Sequence, residues 1–161
     1  MKSNGNLKEF QRSSVLIWVA IITSVIILSV LTFVLGESEA FVPVNSAVHI
    51  NQVMFLIAVA LAFAILFFKR SLFIPGKIVD VPPEKTSPQK TELVLMRLRK
   101  NYIIVWALGE AICIIGFINY IFTVDFQHFL VFAVVSLYSV LINMPRIAIA
   151  EKCMELIQEN E

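Results

Sequence analysis

The run Val15–Gly36, VLIWVAIITSVIILSVLTFVLG, carries no charged side chain. A helix needs roughly 20 mostly apolar residues to cross the hydrocarbon core of a bilayer, and this run supplies them. Three further runs follow. Val53–Phe68 is an apolar core that extends outward to Ala47 and stops at Lys69-Arg70. The third covers Tyr102–Thr123, and the fourth runs from about Phe126 to Met144 and ends at Pro145-Arg146. The sequence therefore predicts an all-α integral membrane four-helix bundle formed by residues 1–161 as one membrane domain, with spans at about 15–36, 47–68, 102–123 and 126–144.

Composition agrees. Hydrophobic residues make up 58% of the chain and charged residues 16%, against roughly 45–50% and about 25% in ordinary soluble domains. The mean hydropathy is +0.83. Five glycines and six prolines are too few for a low-complexity or collagenous chain. A secretory signal before Ser38-Glu39-Ala40 is the rival for the first run. Such signals have apolar regions of about 7–15 residues, so an uncleaved span is expected.

A net charge of +1 conceals the placement of the charges. Of the thirteen Lys and Arg, three precede the first span, eight lie in residues 69–101 and two follow the fourth span. The connections Glu37–Asn51 and Val124–Gln127 have none. Basic residues concentrate on the cytoplasmic side. The expectation is an antiparallel bundle with both termini and the 69–101 loop cytoplasmic, in the plasma (cytoplasmic) membrane.

Within that loop, Ser71–Thr86 contains Pro75-Gly76 and Pro82-Pro83 and reads as irregular or extended. Ser87-Pro88 looks like a helix start. From Thr91 no breaker precedes Tyr102, so the third helix begins in the cytoplasm. Arg97, Arg99 and Lys100 then fall at the lipid headgroups, where each basic residue gains about 1 kcal/mol near anionic lipid. They read as orientation anchors, and nucleic acid is not an expected partner. Residues 146–159 form an amphipathic helix with Ile147, Ala150, Met154 and Ile157 on one face. Its acidic end favours packing on protein over lying on lipid.

Glu110 is the one charged residue inside an apolar run. It lies about 4 Å from the middle of its span at 1.5 Å per residue. An acidic residue at that depth costs about 2.5–3.5 kcal/mol. At 100° per residue, Trp106, Gly109, Cys113, Gly116 and Tyr120 form one stripe with Glu110 at its edge. Small residues permit close helix contact in lipid, so this stripe is a packing face. Ile104, Leu108, Ile115, Ile118 and Phe122 are expected to face lipid. Reflection through the turn at residues 124–125 sets Ser139 opposite Glu110, with Ser136 on the same face of the fourth helix. Thr23 and Ser24 of the first span share that depth, and no Lys, Arg or His does. A neutral carboxyl donating a hydrogen bond to Ser139 or Ser136 is expected.

The segment Glu110-Ala111-Ile112-Cys113-Ile114-Ile115-Gly116-Phe117 resembles the carboxylate-bearing helix of rotary-ATPase proteolipid (c) subunits. The alternation Ala58, Ala60, Ala62, Ala64 is similar to the small-residue helix of those hairpins, which is usually built on glycine. The resemblance implies that Glu110 carries an ion and that alanines such as Ala58 and Ala62 form a close-packing surface. It covers about 15 residues. The long loop and the first and fourth spans depart from the family pattern.

The remaining candidates are weaker. His49 and His128 top the second and fourth helices near Glu37, Glu39 and Asp125, a setting that can bind a metal or sense pH. Neither histidine has a neighbour at ligand spacing, and no metal is expected. Cys113 and Cys153 read as free thiols. No phosphate loop, nucleophile elbow or catalytic triad is present, so neither an enzyme nor a cofactor is expected. Two functions remain open. One is a non-enzymatic scaffold or accessory subunit that packs against itself or another membrane protein. The other is a proton- or cation-linked component centred on Glu110.

Overall fold

A computed structural model describes residues 2–36, 47–80 and 86–159. The described residues are helical, without strands. In chain order the helices are α1 (Lys2–Gly36), α2 (Ala47–Leu72), α3 (Pro75–Val79), α4 (Ser87–Thr123), α5 (Phe126–Ile142) and α6 (Ile147–Glu159). Four segments are long and apolar enough to cross a membrane: Gly5–Gly36 in α1, His49–Leu72 in α2, Pro88–Thr123 in α4, and Phe126–Ile157, which begins with α5 and continues into α6. Their exposed faces carry large apolar side chains, among them Leu16, Leu56, Phe63, Phe67 and Val134. Apolar surface on that scale marks an interaction or membrane surface. The architecture is that of a multi-pass integral membrane protein.

Helix bounds exceed the apolar runs, because hydropathy and helix propensity are separate properties. α1 starts at Lys2, well before Val15, since nothing between Lys2 and Val15 stops a helix. Its 35 residues span about 52 Å at 1.5 Å per residue. α2 continues past Phe68 to Leu72, with Lys69 and Arg70 in its last turn, where cations suit the helix dipole. α4 begins with a capping box between Thr86 and Gln89 and has Pro88 in its first turn. α5 stops at Ile142, short of the expected Met144. Pro145 disfavours helical geometry in the residue before it. In the segment expected to be irregular, Pro75–Val79 forms a short helix. Pro82 and Pro83 lie outside the described residues.

Helix α4 is central and packs against α1, α2 and α5. Two glycines set its distance from α5. A Cβ on Gly109 would lie 2.9 Å from Val140 Cγ2, and one on Gly116 would lie 2.4 Å from Phe132 Cβ. One side of α4 joins Val105 and Ile112 to Ala58 and Ile65 of α2 and to Phe132. Another joins Cys113 and Tyr120 to Val25 of α1 and to Phe129 and Ala133. Leu108 and Ile115, expected to face lipid, are packed against the α2 cluster. α2 covers that flank, whereas Ile118 and Phe122 stay exposed.

The ends of the long helices make a second packed layer. Phe10 of α1, Ile78 of α3, and Val94 and Leu98 of α4 join Ala150, Cys153, Met154 and Ile157 of α6. The apolar face of α6 is thus used against protein. Both cysteines are buried and free, and burial pushes the Cys153 thiol up.

Gly116→Ala should destabilise the protein by about 1–3 kcal/mol, the usual range for overpacking. Gly109→Ala should cost less, because the atom in its way ends a side chain whereas Phe132 Cβ is anchored to the backbone. Unfolding in mild detergent measures both, and equal costs would contradict this packing.

Candidate functional site

The site is built on the end of α5. The last carbonyls of a helix have no partner within it, and hydrocarbon supplies none. Both tryptophans of the chain turn to this end. Trp106 Nε1 of α4 donates to Asn143 O at 2.8 Å, and Trp18 Nε1 of α1 donates to Val140 O at 2.9 Å. Asn143 Nδ2 donates to Ser139 O at 2.7 Å. These bonds fix α1 and α4 at the same level of α5.

One turn further along α4, Gly109 abuts Ser139 and Val140. Glu110 is displaced by 100° around the helix, so its side chain leaves the α5 contact and meets α1. Ser24 Oγ donates to Glu110 Oε1 at 2.5 Å. This corrects the expected partners. Reflection through the turn gave the depth of Ser139 and Ser136 but not their direction around the axis. Ser139 is half-buried and lies beside Gly109. Ser136 is fully buried, and its Oγ has no hydrogen-bond partner among the described residues. Within α1, Thr23, Ser29 and Thr32 donate to the Val19, Val25 and Leu28 carbonyls of their own helix, whereas the buried Ser14 Oγ has no partner among the described residues. Ser24 instead reaches across to α4.

Of the small-residue candidates, Cys113 and Gly116 are buried on α4 and Ala58 is buried on α2. Ala62 is half-buried and Ala60 is exposed. A period of two cannot place all four alanines on one helical face.

A second polar contact escaped the sequence reading. Asn119 Nδ2 of α4 donates to Asn51 Oδ1 of α2 at 2.7 Å, and Asn119 is fully buried. The available signal was position, because Asn51 and Asn119 stand four residues from Ala47 and Thr123, the neighbouring helix ends.

The three basic residues assigned together to the headgroups separate. Arg97 Nη1 donates to Asp80 O at 2.6 Å and so closes the end of α3. Arg99 lies over the Phe10 ring, with Cζ 5.8 Å from its centroid. Lys100 is exposed. At the α4–α5 turn, Val124 takes a left-handed conformation with φ 55° and donates to Tyr120 O. Asp125 caps α5 by accepting from His128 N at 3.1 Å, and its Oδ2 lies 2.6 Å from His128 Nδ1. His49 is exposed. Glu37 and Glu39 lie outside the described residues. Among the described residues no three His, Cys, Asp or Glu are grouped to hold a metal ion.

No protein-family model, curated protein or solved structure matches this chain.

Trp106→Phe should cost about 1–3 kcal/mol, because it strands a buried carbonyl acceptor. Trp18→Phe should cost less, since Trp18 is only partly buried. Detergent unfolding that shows both neutral would contradict the capping role. The Asp125 carboxyl offers a pH test. Burial acts to raise it, but the His128 hydrogen bonds and charge outweigh burial and hold it below 3.8. Its contribution is complete above 3.8 and is lost as pH falls through the lowered value. Asp125→Asn keeps a capping side chain and should lose less stability between pH 5 and about pH 2 than the parent protein.

Proposed function

We propose that this chain is a small, non-enzymatic, multi-pass membrane protein that acts through helix packing, as a scaffold or accessory subunit. Glu110 is the joint between α1 and α4. The four spans alternate in direction, with both termini and the 69–101 loop cytoplasmic in the plasma membrane. The one-sided placement of Lys and Arg supports that threading. Its partners are the bilayer and either a second copy or another membrane protein.

The observation that carries the reading is the closure of Glu110 on Ser24. The grooves beside α5 do not reach it. One of about 360 Å³ lies between α2 and α5 and is lined by Ala58, Phe63, Ile112 and Val135 among other apolar residues. The other, of about 370 Å³, lies between α1 and α5 along Val25, Phe33, Leu130 and Val134. Both are lined almost wholly by apolar side chains. A half-buried carboxyl with a hydroxyl partner on the neighbouring helix, outside both of these apolar grooves, suits a helix joint. Interhelical hydrogen bonds in lipid contribute on average about 0.6 and at most about 1.7 kcal/mol.

Glutamine at position 110 still hydrogen-bonds but cannot titrate. Glu110→Gln should keep the assembly and its melting temperature. Glu110→Leu and Ser24→Ala should each lower stability by about 0.5–2 kcal/mol, and their double mutant should cost less than the sum. Dye-reported proton or cation uptake by proteoliposomes, present in the parent and lost in an assembled Glu110→Gln variant, would overturn this reading. The ion-linked, proteolipid-like reading would then replace it.

A further inference from the structure

A pocket of about 310 Å³ lies where the first turns of α1 meet the extramembrane part of α4. Its apolar lining is Phe10, Leu95 and Met96, and its charged lining is Arg99, Glu9 and Glu92. Arg99 is half-buried over the Phe10 ring, and its Nε is buried without a hydrogen-bond partner among the described residues. Neither Glu9 nor Glu92 pairs with it among the described residues, where the only ion pair is His128–Asp125. The pocket thus holds a guanidinium and two carboxylates that do not satisfy one another, above an apolar floor.

Depth orders these charges. Taking Val15 and Tyr102 as the start of the hydrocarbon, Arg99 lies about 4–5 Å outside it, Glu9 about 9 Å and Glu92 about 15 Å. The headgroup layer is about 5–8 Å thick on each side. A phosphate belongs at the level of Arg99, and a cation belongs further out, beside the carboxylates. We propose that this pocket binds a glycerophospholipid whose headgroup joins a phosphate to a primary ammonium, that is, phosphatidylethanolamine. The Arg99 fork takes the phosphate oxygens. The ammonium, only a two-carbon chain beyond the phosphate, offers its N–H donors first to Glu9, with Glu92 and the Asn6 amide forming the outer wall of the pocket. Phe10, Leu95 and Met96 border the glycerol and upper acyl region. A purely anionic headgroup meets two carboxylates and one guanidinium, so it is disfavoured. A trimethylated ammonium has no N–H to donate.

The inference rests on the membrane placement proposed above, which is checked first by whether the full chain stays with membranes after an alkaline wash. The purified protein in detergent is then offered phosphatidylethanolamine, phosphatidylcholine and phosphatidylglycerol with identical acyl chains, and retained lipid is read by native mass spectrometry. Phosphatidylethanolamine should bind at least about tenfold more tightly than either of the others, or about 1.4 kcal/mol. Arg99→Gln should weaken retention of all three lipids, because each carries the phosphate that Arg99 holds. The double variant Glu9→Gln/Glu92→Gln should lose discrimination against phosphatidylglycerol. Met96→Trp should fill the pocket and block binding with every charge intact, so the test survives misfolding of the Arg99 variant. Equal retention of the three lipids, a preference for phosphatidylglycerol, or unchanged binding in Met96→Trp would overturn the proposal. Soluble phosphoethanolamine displacing the lipid at similar concentration would overturn the lipid source.

Discussion

The close approach of α4 to α5 governs the rest of the structure. At Gly109 and Gly116 there is no room for a side chain, because Val140 and Phe132 fill the space a Cβ would need. In lipid no hydrophobic force gathers helices, so contact of this kind is what holds them together. It also fixes rotation. With Gly109 against α5, Glu110 can only point towards the flank that α1 occupies, and Ile112 towards α2. One surface of α4 therefore decides where its three neighbours stand.

The polar groups inside the bundle follow from the same constraint. Hydrocarbon leaves each N–H, C=O or hydroxyl to find a partner within the protein. Thr23, Ser29 and Thr32 bond back to α1, the indoles of Trp18 and Trp106 close the end of α5, and Asn119 reaches Asn51, while Ser14 and Ser136 keep buried hydroxyls without a partner among the described residues. Glu110 fits this scheme as one more polar group given a partner from a neighbouring helix. At the membrane edge the scheme changes. Arg97 closes α3, while Arg99, Glu9 and Glu92 have no ion-pair partner among the described residues around the pocket they line. Unpaired charge is affordable there because water and headgroups are near.

Much of the architecture was legible in the sequence for physical reasons. Apolar runs reveal spans because length and hydropathy are set by the bilayer. The stripe from Trp106 to Tyr120 reveals a packing face because small residues permit contact. That Ser24 shares the depth of Glu110 was legible, but that it is the partner in place of Ser136 or Ser139 was not. Depth can be counted along two helices joined by a short turn, but rotation depends on which small residue touches which side chain, and Ser24 lies 86 positions away in the chain. The caps on α5 were hidden for the same reason. The start of α1 at Lys2 was hidden for another, since a helix does not end where its residues become polar. Ala58 and Ala62, four residues apart, do pack towards α4, whereas Ala60 is exposed, because a period of two is not a helical period.

The most direct test of the central claim is a distance in the bilayer. Solid-state NMR on the selectively labelled chain in lipid can report which serine Cβ lies beside the Glu110 carboxyl carbon. A cross-peak between Glu110 Cδ and Ser24 Cβ is the predicted result. A cross-peak from Glu110 Cδ to Ser136 or Ser139 Cβ, with none to Ser24, would contradict it.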